Sequence, residues 1–506
     1  MTNVVSQGGA AQAGRRSSTR PTGLSAAFGA AMLAFLACAP AQQGRLESAP
    51  GVDALAIEHV TIVDVRDGRL IRDQTVLVAG SKIMAVGAST NLRTPRGARV
   101  VDGRDRYLIP GLWDMHDHAA GDGQRSRRVL LPMIVANGVT GTREMIGDRS
   151  VLAIRDDIRR GVLLGPRMIV GSPILDGPSP MWEGSIPVTT EADGKRVVDS
   201  LAHQGYDFIK IYQFLSRDAY RGIAEEARRQ HIPFVGHVPF SMKVSEASDA
   251  GQRSIEHGIG ISLECSTNET DIRRGLVAAA THAPAGLPAH GALLSLGEDE
   301  PLSTVSEAKC DRLFARLAEN GTWVVPTLIL HRAHALGADS STRHDPRLRH
   351  LPAQWRATWE GMVAHRPPPA GPAFQRVNKA QLRYASAMSR AHVSLLVGTD
   401  AMNPFVFPGF AVHEELALLV EAGLTPLEAL RAATIAPAVF LHATDSLGTI
   451  ERGKLADLVL LDANPLTDIR NTSRIRAVVL GGRFLDRAAL DSTLTAAEKA
   501  AGGTKP

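Results

Sequence analysis

Apolar and polar positions divide the chain into three regimes. From about Leu55 short β patterns follow one another at Ile57–Val63, Gln74–Val78, Lys82–Val86 and Arg99–Val101, with Gly80-Ser81 as a tight connection. The same character returns near the other end, at Ala456–Leu461 and Ile475–Gly482. Between these regions strand patterns alternate with amphipathic helical ones such as Asp218–His231, Ala308–Asn320 and Val412–Ala422. Eight strands are predicted there: Leu108–His118, Thr140–Met145, Arg167–Pro173, Asp207–Gln213, Pro233–Val238, Ser254–Gly258, Trp323–Leu328 and Ser394–Asp400. Alternation of this kind predicts an α/β protein with a (β/α)8 TIM barrel. The two outer pieces predict one small β-sandwich built from both ends of the chain.

The expected boundaries are 53–109 and 448–490 for the sandwich, 110–447 for the barrel and 491–506 for a small, polar, flexible tail that frays from Thr493. The gaps after the sixth and seventh strands run to roughly sixty residues against a typical loop of about five, and both carry helical patterns. They predict elaborated units near the mouth of a site. Asn403-Pro404-Phe405-Val406-Phe407-Pro408-Gly409, after the eighth strand, is rich in turn formers and aromatics.

Composition changes this picture little. At 506 residues, 44% hydrophobic and 21% charged, the chain has the makeup of a globular enzyme. The net charge of +4 includes Arg15, Arg16 and Arg20, which precede an apolar run from Leu24 to Ala39; without them the balance is 4 − 3 = +1. No nucleic-acid partner is implied. The run has the layout of a secretory signal within residues 1–41 and is short for a membrane span. Phe35-Leu36-Ala37-Cys38 resembles a bacterial lipobox, which would lipidate Cys38, and cleavage after Ala39-Pro40-Ala41 is the alternative. Arg15-Arg16 lacks the hydrophobic follow-on of a twin-arginine signal. Export to the periplasm is expected, with or without a membrane anchor. Cys265 and Cys310 then remain, either as a disulfide or as two buried thiols.

Chemistry-bearing residues gather at the predicted strand ends, where barrels of this kind place their sites. The first strand runs through Leu112-Trp113-Asp114-Met115-His116-Asp117-His118, and alternation points His116 and His118 the same way. Two neighbouring imidazoles can grip one divalent metal, although H-x-H alone is a weak signal. The fourth strand carries Lys210 and Tyr212, the fifth ends at His237, the sixth at His257 and the eighth at Asp400. Each has a plain alternative: a snorkelling lysine, core histidines, a helix cap. Their joint occurrence at successive strand ends is the stronger observation.

With these residues in view, the chain resembles the amidohydrolase superfamily, in its imidazolonepropionase-like and Xaa-Pro-dipeptidase-like branch. The resemblance rests on Pro110–His118, Gly138-Val139-Thr140, Lys210 with Tyr212, Gly236-His237-Val238-Pro239, Ser254–Gly258, Gly398-Thr399-Asp400 and Ala456-Asp457-Leu458-Val459, and covers about residues 53 to 487. It implies two divalent metal ions, with His116, His118 and Asp400 on one, His237 and His257 on the other, and a CO2-carboxylated Lys210 bridging them. A bridging hydroxide would attack a carbonyl carbon, Asp400 would shuttle its proton to the leaving nitrogen, and one metal or Tyr212 would polarise the carbonyl. The expected activity is metal-dependent hydrolysis of an amide or peptide bond, in a dipeptide such as Xaa-Pro or an N-acyl amino acid. A cyclic amide, lactone or organophosphate ester is the alternative substrate class, and a non-catalytic ligand-binding lipoprotein a remoter one. Zinc is the first expectation for the metal, with manganese or cobalt also suited to mixed N/O ligands. His413 and Arg143 are candidate substrate contacts, with a solvent-facing helix residue and a salt-bridged rim arginine as the plain alternatives. The partner is a small molecule, and a homo-oligomer is compatible with the sequence.

Overall fold

Strand-forming runs from the two ends of the chain meet in one sheet. The computed structural model describes residues 54–502, apart from 338, 340, 341, 343 and 365–369. The leader and Cys38 lie outside this range. Its first five strands are β1 (Ala54–Val63), β2 (Leu70–Ala79), β3 (Lys82–Ala88), β4 (Arg99–Asp102) and β5 (Tyr107–Pro110). The central strands are β6 (Leu112–Asp117), β7 (Val139–Glu144), β8 (Arg167–Val170), β9 (Leu175–Asp176), β10 (Ile186–Pro187), β11 (Ile209–Ile211), β12 (Phe234–Gly236), β13 (Ser254–Glu256) and β14 (Trp323–Val325). Three more follow: β15 (Leu458–Leu461), β16 (Ile475–Leu480) and β17 (Arg483–Asp486).

The terminal strands form an eight-stranded sheet in the order β17-β16-β15-β5-β1-β2-β3, with β4 also paired to β1. Ile109 faces Val459 and Leu108 faces Leu460 across the antiparallel β5–β15 pair. Leu55, Ile57, Val76, Ile83, Leu108, Leu458 and Val479 bury the core of this sheet. A two-residue turn at Gly80-Ser81, with Gly80 at φ +54°, joins β2 to β3 as the sequence predicts.

The predicted first barrel strand, Leu108–His118, is two strands. β5 belongs to the terminal sheet and β6 to the central one, and the break falls at Gly111. A Cβ there would collide with the Thr140 side chain, so only glycine lets the chain cross at this point.

The central strands pair in parallel, as β6-β7-β8 and as β10-β9-β11-β12-β13-β14. Backbone contacts link the two sheets. Gly171 bridges Phe208, and Asp207 N donates to Val170 O at 2.8 Å. On the other side the predicted eighth strand, Ser394–Asp400, makes isolated bridges instead of a full ladder. Leu396 N donates to Val324 O at 3.0 Å, Met115 N to Val397 O at 2.8 Å and Asp400 N to His116 O at 2.7 Å. It turns away after Gly398, and Asp400 takes a left-handed φ of 58°.

The helices fall where periodicity places them. Arg217–Arg229 is capped by Ser216, whose hydroxyl accepts from Ala219 N, and its apolar face buries Ala219, Tyr220, Ile223 and Ala227. Glu307–Glu319 and Phe410–Glu421 match the other two predicted helices. Both long insertions are helical, with Glu269–His282 and Leu287–Asp299 after β13, and Ala353–Ala364 and Ala370–Arg390 after β14. Cys265 and Cys310 are joined as a disulfide, their Cα atoms 4.9 Å apart.

The C-terminal segment departs from expectation. In place of a fraying tail from Thr493, residues Arg487–Gly502 form a helix that buries Leu490, Ala497 and Ala501. Small alanines spaced for one helical face let this helix pack closely, a pattern that reads as merely polar and small in sequence.

Candidate metal centre

Four imidazoles and one carboxylate converge at the C-terminal ends of the central strands. His116 is the next-to-last residue of β6, and His118 follows the strand. His237 follows β12, His257 follows β13, and Asp400 closes the extended segment after β14. The ring centres of His116 lie 5.2 Å from those of His118 and 4.4 Å from those of His257, which is 5.0 Å from His237. Asp400 Oδ1 sits 3.0 Å from His118 Nε2 and 3.4 Å from His116 Nε2, and Oδ2 is 3.9 Å from His257 Nδ1. Donor atoms of His116, His257 and Asp400 all lie within 4.8 Å of one another, a spacing that can hold a metal ion.

Three of the four histidines have a hydrogen-bond partner at Nδ1, and His118 has an acidic neighbour beyond hydrogen-bond distance. His116 Nδ1 is 2.8 Å from Glu256 Oε2, His237 Nδ1 is 2.8 Å from Gln213 Oε1, and His257 Nδ1 is 2.8 Å from Thr327 Oγ1. His118 Nδ1 lies 3.7 Å from Glu144 Oε1. A neutral imidazole that donates through Nδ1 keeps its Nε2 lone pair, the form a metal needs. Burial lowers the pKa of His118, His237 and His257, which favours that neutral form. Burial alone would raise the Asp400 carboxyl, but its histidine neighbours, His257 and His116 foremost, hold it well below the usual range. The donor set therefore fits a divalent ion.

Lys210 is 1% exposed in the middle of β11, with Nζ 6.0 Å from the centre of the Tyr212 ring. Burial pulls its pKa down to about 8, against the opposing pull of Glu256 and Asp400, so a neutral amine is accessible near neutral pH. Tyr212 stacks on His237, with ring centres 3.9 Å apart, and its hydroxyl accepts from Trp182 Nε1 at 2.8 Å. Burial raises the Tyr212 pKa and keeps the phenol protonated.

Asp114 stitches the first and last strand ends together. It accepts from His116 N at 3.1 Å, Thr399 N at 3.0 Å and Thr399 Oγ1 at 2.6 Å. Thr327 holds His257 from a left-handed φ of 45°, unusual for a β-branched residue and a sign of local strain at the cluster.

Two expected substrate contacts lie elsewhere. Arg143 is fully buried within β7, where Nε donates to Met115 O at 2.6 Å, Nη1 to Ser254 Oγ at 3.0 Å, and Nη2 to Glu256 Oε1 at 2.8 Å. Its geometry is that of an internal ion pair beneath the histidines. His413 is buried between Asn137 O and Thr472 Oγ1, both at 3.0 Å, so the helix it opens packs inward where a solvent-facing or site-facing start was expected. Asn137 precedes β7, at the opposite end from the cluster.

Sequence reasoning passed over Glu256, Gln213, Thr327 and Trp182. Glu256 ends the short strand Ser254-Ile255-Glu256, where no apolar run marks it as buried, and only packing gives it its partners. Trp182 follows the turn-rich stretch Gly177-Pro178-Ser179-Pro180-Met181, and nothing local ties it to Tyr212.

The model of the amidohydrolase family matches residues 107–485, and the chain belongs to that family. It is a metal-dependent hydrolase acting on carbon–nitrogen bonds. It is similar to ochratoxinase of Aspergillus niger, 23% identical over 478 residues and covering 81% of this chain and 82% of that one. Among solved structures it is similar to bottromycin amidohydrolase (26% identity, TM-score 0.69, 89% and 91% of the two chains). It is also similar to a putative prolidase from Bifidobacterium longum (25% identity, TM-score 0.66, 88% and 99%).

Proposed function

We propose that the chain hydrolyses an amide or peptide bond in a small molecule, a dipeptide such as Xaa-Pro or an N-acyl amino acid, with two divalent metal ions held at the strand ends. The observation that carries this reading is the orientation of the histidines: Nδ1 of His116, His237 and His257 is engaged, leaving Nε2 for a metal. The amide-cleaving names of the bottromycin amidohydrolase and the putative prolidase support the bond type. We read the linked central strands as a closed (β/α)8 barrel and the terminal sheet as a small second domain.

In this reading His116, His118 and Asp400 would hold one ion and His237 and His257 the other, and a carboxylated Lys210 would supply further oxygen ligands. The ammonium of lysine has no lone pair, whereas a carbamate made from the neutral amine and CO2 presents two oxygens. When bound, the ions, zinc by first choice, supply an acidified water and polarise the substrate carbonyl. Asp400 takes the proton of the attacking water and passes it to the leaving nitrogen. Tyr212, kept protonated by burial, donates to the carbonyl oxygen as negative charge develops there. Trp182 Nε1 donates to the same hydroxyl and so leaves its proton directed away from the indole.

Export through the N-terminal leader, with Cys38 as an anchor, completes the proposal. The Cys265–Cys310 disulfide supports an oxidising compartment. Elemental analysis of protein prepared with bicarbonate is expected to find about two divalent ions per chain on the two-metal template. Fewer than one tightly held ion overturns the reading.

A further inference from the structure

Next to the histidine cluster lies an apolar layer of which the hydrolytic chemistry uses only Tyr212 and, through it, Trp182. Ile174, Met181 and Tyr212 form one apolar cluster, with Trp182, Phe214 and Leu294 packed against it. The layer begins at the cluster itself, where Tyr212 stacks on His237 and accepts from Trp182. It ends on the helix Leu287–Asp299, where His290 stacks on Phe214 with ring centres 4.0 Å apart and planes 30° from parallel.

His290 is fully buried, and among the described residues neither ring nitrogen has a hydrogen-bond partner. An imidazole in that condition loses both its hydrogen bonds to water, a cost a phenylalanine or leucine at the same place would not carry. The layer is also firmly built. Asp176 accepts from Gly177 N at 2.9 Å, Met181 N at 3.2 Å and Phe214 N at 2.8 Å, tying the loop that carries Trp182 to the strand end that carries Phe214. Gly286 N donates to Pro180 O at 3.1 Å and seats the start of the His290 helix on the same loop. Three segments far apart in sequence thus converge on one wall beside Tyr212.

We propose that this wall is the specificity subsite of the same reaction centre: it takes an aromatic group of the substrate against Trp182 and Phe214, and His290 hydrogen-bonds a hydroxyl on that ring. The proposal rests on the amide-hydrolase reading for the reaction, but recognition itself needs no turnover. A neutral imidazole offers one donor and one acceptor, which a hydroxyl can answer with either role. None of the side chains of the wall is a lysine or arginine, so a neutral polar group suits it better than a carboxylate.

The test uses probes that contain no amide: a series of methyl ketones bearing a para-hydroxyphenylethyl, a phenylethyl or a methyl group. Binding is measured by calorimetry on the metal-loaded full chain, wild type and His290→Phe. That substitution keeps the stacking on Phe214 and removes the ring nitrogens, and thermal unfolding verifies that it folds; His290→Leu is the second variant. Wild type is expected to bind the hydroxyphenyl probe about tenfold tighter than the phenyl probe, the worth of one hydrogen bond. Both variants are expected to keep affinity for the phenyl probe and lose the hydroxyl preference. Phenyl binding no tighter than methyl, or a hydroxyl preference that survives His290→Phe, overturns the proposal and leaves the buried nitrogens to bridging water. Selective probe binding by a protein that cleaves no amide would sink the amide reading alone, whereas amide cleavage without probe selectivity would sink the subsite alone.

Discussion

Glu256 Oε2 lies 2.8 Å from His116 Nδ1, while Arg143 Nη2 donates to both oxygens of the same carboxylate, at 2.8 and 2.9 Å. The acid therefore orients one strand-end histidine and neutralises a fully buried arginine. Burial would raise its pKa, yet Arg143 and His116 hold it below the usual carboxylate range. Glu256→Gln preserves the shape but leaves the Arg143 charge without a counter-charge. Metal retention is expected to fall about 10- to 100-fold. Stability should drop by about 3–5 kcal/mol, the usual cost of breaking a buried pair. Competition with a chelator and thermal melts read the two effects separately.

Lys210→Ala removes the proposed oxygen ligands. Turnover is expected to vanish, and short carboxylic acids are expected to restore part of it by supplying the missing oxygens. Turnover that persists unchanged in the variant would refute that role.

The Cys265–Cys310 disulfide closes a loop with a sequence separation of 45 residues. In the chain-entropy account such a closure stabilises by about 4 kcal/mol. Reduction, or Cys265→Ser with Cys310→Ser, should lower the melting temperature in step with that figure. Identical melts with and without reductant would show that the pair contributes nothing.

His413 gives a pH dependence of stability. Burial pulls its pKa down to about 4, against the favourable hydrogen bond to Asn137 O. The unfolded ring takes up a proton near its ordinary value while the folded one resists, so the unfolded chain binds more protons between these two pH values. Stability is full above the ordinary histidine pKa and falls with decreasing pH toward 4, by up to about 1.4 kcal/mol per pH unit. His413→Gln should flatten this slope in denaturant titrations between neutral pH and pH 4 without changing turnover. An equally steep slope in the variant would assign the effect to other groups.

The C-terminal helix offers a control remote from the site. Leu490→Ala is expected to cost about 2–5 kcal/mol, because the residue is completely buried. A melt within a degree of wild type would mean that the helix is not docked in solution.

Periodicity alone located the helices Arg217–Arg229 and Glu307–Glu319, because an amphipathic face must be buried and the repeat that buries it is written in consecutive residues. It also placed most of the central strands to within a few residues, and with them His116, His118, Lys210, Tyr212, His237 and His257, whereas Asp400 lies on a segment that makes only isolated bridges. What each nitrogen or oxygen does there is a matter of partners 24 to 140 residues away, such as Gln213 for His237 and Glu256 for His116. No local pattern encodes such a distance.

The same limit explains the departures. Arg143 read as a rim arginine because its counter-charge, Glu256, lies two central-sheet strands beyond Lys210 in sequence, and only the fold brings them to 2.8 Å. His413 opens a helix, but packing against Thr472 and Asn137 turns that helix start inward. The residues by themselves determined which elements form and which chemistry gathers at the strand ends, since both follow from short-range sterics and side-chain type. Tertiary structure decided which charges are paired, which imidazole nitrogens remain free and that His290 is buried without a hydrogen-bond partner among the described residues, because these depend on contacts closed only when distant segments pack.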